Sequence, residues 1–469
     1  MHRVALPYPA SELTIDPVLM CKYDVSGPRY TSYPTADRFV EAFGAAQLEQ
    51  WLAKRNIGAI SQPLSLYVHL PFCATLCCYC GCNKVITRDR SKSAQYIKYL
   101  EKELALLAPL VGDGREICQL HWGGGTPTFL SREEMRDLVA ALERHFVRAP
   151  NAESAIEVDP RAAEPGILAF LGKLGFNRLS VGVQDFDPAV QKAVHRIQSE
   201  EVTARVIEEA RDSGFRSVNV DLIYGLPKQT LDSFNRTLDK VLGLDPDRIA
   251  LYSYAHLPKV FLPQRRIAQA DLPSAEQKLQ IVTLAIGRLT RAGYVYIGMD
   301  HFARPHDELA IAQSRGLLQR NFQGYSTCPE SDLLGLGVSA IGRVGPTYYQ
   351  NRKDLEEYYA ALDEGRLPVA RGIELTQDDL ARRAIIQALT CNFRLSIESI
   401  ELAYLLDFKQ VFAEELADLK KLHDEGLVEL GADWIVITPK GRLLVRAICM
   451  VFDKYLRTGR QRASYSKVL

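Results

Sequence analysis

The sequence predicts an α/β protein. Its body is an incomplete barrel of six βα units, preceded by an irregular arm and followed by a mostly helical, winged-helix-like module. Three observations carry this. From Leu64 onward, short apolar runs alternate with amphipathic helical patterns, which implies parallel strands with helical crossovers. Six such units occur, fewer than the eight of a closed barrel, so one side stays open. Beyond about residue 370 the alternation gives way to helices and one hairpin signal. The chain therefore divides into an N-terminal arm (1–60), the barrel with an extension (61–365) and a C-terminal helical domain (366–469).

In the arm, Gly27-Pro28-Arg29-Tyr30-Thr31-Ser32-Tyr33-Pro34-Thr35 is broken by prolines and reads as extended. Two tyrosines and an arginine there suit ligand contact, and a surface arm packed on the body is an equal reading. The strands are Leu64–Leu70, Ile117–Trp122, Ala155–Val158, Arg178–Val183, Ser217–Ile223 and Ile249–Tyr254. After the first, Ile97, Leu100, Leu104 and Leu107 recur at helical spacing. Ser131 with Glu134 forms a capping box opening the next helix, whose apolar stripe is Met135, Leu138 and Leu142. Polar residues gather where strands end: Glu157 and Asp159, Gln184 and Asp185, Asp221, then Ala255 and His256. Ligand sites of parallel sheets lie at those ends, although any single residue there serves equally as a cap. In the C-terminal part, Thr376 with Asp379 starts a helix, and Gly431-Ala432-Asp433 joins two short strands. Arg457-Thr458-Gly459-Arg460-Gln461-Arg462 reads as a solvated tail.

Composition narrows the function class. Fifty-seven basic residues balance fifty-seven acidic ones, so no basic excess points to nucleic acid. No apolar run approaches the roughly 20 residues of a membrane span, and residues 1–10 lack a signal-peptide core. A cytoplasmic protein without a membrane or nucleic-acid partner is the expectation. Thiols stay reduced there, so clustered cysteines favour metal or catalysis over disulfides. Five of the ten cysteines lie at 73, 77, 78, 80 and 82. The others, at 21, 118, 328, 391 and 449, read as small buried hydrophobes.

Cys73, Cys77 and Cys80 have the close spacing of an iron–sulfur loop. Three thiolates on a four-iron cluster leave one iron open. A zinc knuckle with Cys82 as fourth ligand is the competing reading. Cys78 adjoins Cys77, and adjacent residues reach one small cluster poorly. Gly123-Gly124-Gly125-Thr126-Pro127 follows the second strand; glycines there admit a ligand to the backbone or simply make a tight turn.

Cys73-x3-Cys77-x2-Cys80 after a first barrel strand, with Tyr79 before the third cysteine and the glycine run one unit later, resembles the radical S-adenosylmethionine (SAM) superfamily. Tyr67-Val-His-Leu-Pro-Phe-Cys, Gly81-Cys82-Asn-Lys84, His121-Trp-Gly-Gly-Gly-Thr-Pro-Thr, Glu157-Val-Asp-Pro, Asp221-Leu-Ile-Tyr-Gly-Leu-Pro, Met299-Asp-His-Phe-Ala-Arg and Asn321-Phe-Gln-Gly-Tyr resemble, within it, the oxygen-independent coproporphyrinogen III oxidase family. The likeness runs from Pro28 to the C-terminal module.

That resemblance implies a radical-SAM barrel and an oxidoreductase of haem (porphyrin) biosynthesis. It implies one [4Fe–4S] cluster on Cys73, Cys77 and Cys80, with Cys82 a family marker and not a ligand. It implies two SAM molecules: the first on Tyr67, Tyr79, Gly124, Glu157 and Ile341, the second on Gly125, Thr126, Gln184, Arg196, Asp221 and Ala255. By the same resemblance a 5′-deoxyadenosyl radical takes hydrogen from a propionate of coproporphyrinogen III. Loss of CO2 and one electron then leaves a vinyl group, and two rounds give protoporphyrinogen IX. Arg29, Lys84, His69 and Gln323 are the substrate-side expectations, a neutral core histidine being the plain alternative for His69. An unidentified electron donor and acceptor, and a monomer, complete the reading. A related haem chaperone is the rival; it typically lacks the Arg29–Tyr33 segment and Gly81-Cys82, both present here. Cys78 departs from the aromatic that relatives often carry.

Overall fold

The structure is a computed structural model that describes residues 8–9, 12–55, 57, 63–112, 114–328, 331–458, 465 and 467. Six parallel strands stand side by side in sequence order: β1 (Leu64–Leu70), β2 (Glu116–Gly124), β3 (Val147–Val158), β4 (Arg178–Gln184), β5 (Ser217–Tyr224) and β6 (Arg248–Ser253). Both faces of such a sheet are covered, so its strands are nearly continuous apolar runs; in β1 every residue but Tyr67 is buried. The sheet does not close on itself. Antiparallel β7 (Val295–Gly298) and β8 (His301–Ala303) extend it beyond β6. Between them and the rest of the extension runs a separate hairpin, β9 (Gln319–Asn321) with β10 (Gly324–Ser326). Past β1 the sheet continues through β11 (Asp332–Leu336), β12 (Ile341–Val344), β13 (Thr347–Asn351) and β14 (Val369–Glu374), making twelve strands.

The helices start where local chemistry predicts. Capping boxes open α1 (Arg132–His145) at Ser131/Glu134 and α2 (Gln377–Asn392) at Thr376/Asp379, each satisfying backbone N–H groups that lack an intrahelical partner. In the C-terminal part, Trp434–Ile437 pairs with both Arg394–Ser396 and Val428–Leu430, with helices packed around this small sheet. One continuous apolar core runs from the barrel into it.

The hairpin β9–β10 lies across the N-terminal halves of the strands. Asn321 reaches Gln119 on β2 at 3.4 Å, Ser326 and Thr327 bond Glu153 on β3, and Gln323 donates to the Leu66 carbonyl on β1. It floors the open barrel at the end opposite the strand termini.

Three expectations are corrected. Tyr30 and Tyr33 are buried packing residues: their hydroxyls meet Asp453 and the Lys454 N–H of the C-terminal domain. Of that segment's ligand-suited side chains, Arg29 alone turns toward the barrel, pairing with Asp300 at 2.9 Å. Cys118 and Cys328 are joined in a disulfide, because the chain leaving the floor hairpin returns beside β2 after 210 residues; that separation hid the pairing. Cys21 is exposed, whereas Cys391 and Cys449 are buried as expected. Arg457 and Thr458 are exposed, in line with the solvated tail expected there, although Arg457 also pairs with Asp418 at 2.6 Å; residues 459–462 lie outside those described.

Candidate active site

The carboxyl ends of the strands surround a cavity of about 920 Å³, within the range of a cofactor-and-substrate site. Cys73, Cys77 and Cys80 line it, from the loop after β1. Cys78 does not. Its side chain is 4% exposed and packs among Val190, Val194, Leu226, Tyr254 and Ile267, while its N–H donates to the Val194 carbonyl at 2.9 Å. Cys78 and Tyr79 form a turn closed by the Cys80 N–H donating to the Cys77 carbonyl at 3.2 Å, and the turn sends Cys77 to the cavity and Cys78 into the core. The sequence left Cys78 unexplained; the structure makes it an anchor of the loop.

The loop is fastened elsewhere too. His195 Nδ1 contacts the Leu76 carbonyl at 2.8 Å. Gln264, 1% exposed, donates to the carbonyls of Tyr79 and Ala255 and accepts from the Leu257 N–H. Lys84 donates to the Cys80 and Cys82 carbonyls, which ties its ammonium to the loop itself. The thiols differ in character. A hydrogen bond from Cys82, and the Lys84 charge acting against burial, bring Cys80 down to about 6; burial pushes Cys73 up to about 11.

The glycine run is tight because protein crowds it. A Cβ on Gly123 would fall 2.6 Å from Glu157 Oε1, one on Gly124 (φ +111°) 2.5 Å from the His69 ring, and one on Gly125 2.7 Å from the Pro71 backbone. Glu157 is fixed by His121 Nε2 at 3.0 Å and by the Gly124 N–H at 3.2 Å. Burial works against its charge, but the His121 contact prevails and holds its carboxyl below the usual range. Thr126 donates to Cys73 Sγ at 3.4 Å.

At the end of β4 the register shifts between Gly182 and Gln184, and Gln184 takes φ +68°. Such a bulge re-aims a side chain, and Gln184 Oε1 is buried with no hydrogen-bond partner. Arg196, which sequence alone would place on a helix surface, is 6% exposed. It pairs with Asp159 at 2.9 Å, donates to the Gly182 carbonyl at 2.5 Å and sits 3.6 Å from Cys77 Sγ, while its Nε has no partner. Arg161, without a signal in the sequence, also pairs with Asp159 and reaches Cys77 Sγ at 3.4 Å. Asp221 accepts from Ser180 and Asn219; burial, with Glu157 nearby, lifts it to about 7.

The cavity thus gathers Cys73, Cys77, Cys80, Tyr79, Gly124, Gly125, Thr126, Glu157, Gln184, Arg196, Asp221 and Lys84 from the expected set. Tyr67, His69, Ile341, Ala255, Arg29 and Gln323 are not among its lining residues. Tyr67 lies behind, its hydroxyl 3.0 Å from His69 Nδ1; His69 also contacts the Asn83 carbonyl and is kept neutral by burial, the plain reading for it. Of the strand-end residues, Asp185 is a buried structural acceptor for Thr237 and Gln229.

These residues fit an iron–sulfur cluster with a vacant iron. Three unbridged thiols share one wall, their neighbour is turned away, and Gln184 and Arg196, each with an orphaned polar atom, line the same cavity. Among the described residues no three His, Cys, Asp or Glu side chains are grouped to hold a single metal ion, the arrangement a zinc knuckle needs.

Comparison with known proteins agrees with this geometry. Residues 67–241 match the radical SAM superfamily and residues 375–444 the HemN C-terminal domain. The chain is 51% identical over 452 residues to the oxygen-independent coproporphyrinogen III oxidase of Pseudomonas aeruginosa, covering 96% of this chain and 98% of that one. It is 52% identical over 454 residues to that of Salmonella typhimurium, covering 97% and 98%. The solved structure of coproporphyrinogen III oxidase (HemN) from Escherichia coli, a radical SAM enzyme, superposes with a TM-score of 0.90 at 50% identity, covering 95% of this chain and all of that one.

Proposed function

The chain belongs to the oxygen-independent coproporphyrinogen III oxidase family, and we propose from that premise that it oxidatively decarboxylates two propionates of coproporphyrinogen III to vinyl groups, giving protoporphyrinogen IX. The observation that carries this is likeness over nearly the full length of both chains, arm and C-terminal domain included. A chain sharing only the barrel with a haem chaperone would not be expected to match so completely.

In this proposal the thiolates of Cys73, Cys77 and Cys80 hold a [4Fe–4S] cluster. Together with SAM, the bound cluster supplies radical chemistry. The chain's own groups position and exclude. Thr126 and Arg161 donate to the Cys73 and Cys77 sulfurs. Glu157, held ionised, orients the Gly124 backbone and offers its charge to an ammonium group of the first SAM. Tyr67, Tyr79 and Ile341 complete that site in the same proposal. Gly125, Thr126, Gln184, Arg196, Asp221 and Ala255 serve the second SAM, for which the unpartnered Gln184 Oε1 and Arg196 Nε are available. Arg29 belongs to the substrate side. A cytoplasmic monomer, drawing on a separate electron donor and acceptor, is part of the proposal; no described helix is long and apolar enough to cross a membrane.

The test is an anaerobic assay with reconstituted cluster, SAM, reductant and coproporphyrinogen III. Protoporphyrinogen IX and 5′-deoxyadenosine are expected together. Cluster and SAM bound without either product, with haem retained instead, would favour the chaperone and overturn the oxidase.

A further inference from the structure

Arg320 lies on β9 of the floor hairpin, in register with Tyr325 on β10, and its guanidinium stands 4.7 Å from the Tyr325 ring centroid. From there an aromatic wall crosses the lumen. The Tyr325 ring meets His301 edge-on at 5.3 Å, and His301 meets Tyr252 edge-on at 5.9 Å. Arg29 sits over the far face of this wall, 5.6 Å from the Tyr252 centroid. Two guanidinium groups from distant parts of the chain thus flank one wall inside the barrel.

They are not equivalent. Arg29 has a carboxylate partner in Asp300. Arg320 makes no ion pair among the described residues, and its Nε and Nη1 are buried with no hydrogen-bond partner. His301 Nδ1, on the wall between them, is orphaned as well. Arg320 as a whole is half-buried, but buried guanidinium N–H groups left idle are costly unless an anion completes them. A planar donor array matches a carboxylate. Beside Arg320 a cavity of about 40 Å³, lined also by Thr31, Asn321, Phe322 and Gln387, has room for a group of that size. Burial and the neighbouring Arg320 charge hold His301 down to about 3, so the imidazole adds no second positive charge.

We infer that Arg320 anchors one propionate carboxylate of the porphyrinogen at the floor of the barrel, away from the propionate that reacts. The anchor rests on the proposed substrate. It gives the floor hairpin a binding role and makes Arg320 a specificity determinant for acidic side chains on the ring.

The test is a fluorescence titration of cluster-loaded protein with coproporphyrin III, the stable oxidised ring, and with its tetramethyl ester. Wild type, Arg320→Gln and Arg320→Lys are compared, with visible absorbance checking that each variant keeps its cluster. Losing a charge-assisted contact predicts that Arg320→Gln weakens tetra-acid binding by about ten- to hundredfold and leaves ester binding unchanged, with Arg320→Lys between. In turnover KM rises more than kcat falls. Equal weakening toward both ligands, or none, overturns the anchor alone. A wild-type protein that binds neither ligand overturns the substrate reading, and the anchor with it.

Discussion

Replacing Cys78 by alanine separates two roles that adjacent cysteines present alike. The side chain is 4% exposed among Val190, Val194, Leu226, Tyr254 and Ile267, so the change removes one buried sulfur and leaves a methyl-sized void. Transfer and cavity terms together come to about 1–1.5 kcal/mol. In a chain this size that lowers Tm by about 1–3 °C. The Cys78 N–H still donates to the Val194 carbonyl, so the loop keeps its path. Iron and sulfide content after anaerobic reconstitution is therefore expected to equal wild type. Cys78→Ser puts a hydroxyl, costlier to bury than the thiol, beside Arg266, which partners the Cys78 side chain, and is expected to cost up to about 1 kcal/mol more, again with full iron content. Cys80→Ala, by contrast, is expected to abolish the cluster while barely moving the Tm of the apoprotein. Loss of iron in Cys78→Ala, at unchanged fold, would refute the division of labour between the two cysteines.

Other outcomes are expected from the same geometry. Gly125→Ala sets a Cβ 2.7 Å from the Pro71 carbonyl, and because backbone cannot swing aside the cost exceeds about 2 kcal/mol in denaturant unfolding, with poor cluster uptake. Gln264→Ala strands the groups it now bridges, costing about 2–4 kcal/mol, and iron is released faster to a chelator. Asp221, lifted to about 7, is mostly neutral below that pH. A cationic ligand group needs it ionised, so occupancy of the second SAM site proposed at Asp221, read by equilibrium dialysis, is expected to strengthen by up to about tenfold per pH unit toward 7 and then level. Asp221→Asn flattens the profile. The Cys118–Cys328 bond is of a kind that is rare in reducing compartments, such as the cytoplasm proposed for this chain. Peptide mapping of protein alkylated at lysis is expected to find the two peptides linked, and alkylation of both thiols would refute the bond.

Much of the barrel was legible because a buried parallel strand needs a continuous apolar run and its crossover helix needs an amphipathic one. β1 begins and ends where its apolar run does. β3 starts eight residues earlier than the run Ala155–Val158, since its first half, with Arg148, Asn151 and Glu153, faces solvent and the floor hairpin rather than core. The strands β11–β14 were invisible for a different reason: they are short, β12 meets β13 at a tight turn while the helix Leu355–Asp363 separates β13 from β14, and only an existing sheet edge gives them a partner. Within the site, motif spacing located the thiols and the glycine run. It could not show which way Cys78 points, nor that His69 and Glu157 already fill the space a glycine leaves. Arg161, Gln264 and Arg320 carry no local signal. Each matters through a partner between 84 and 185 residues away, or through having none.

The floor hairpin has a consequence for traffic. With β9 and β10 drawn across the strand beginnings, and Cys328 just past β10 tied to Cys118 of β2, the barrel is a cup rather than a tube. Whatever enters past the strand ends must leave past them. A tetrapyrrole whose first propionate has reacted must turn inside the rim or back out before presenting the second, and a half-finished ring in bulk solution is the signature of a cup too narrow for turning.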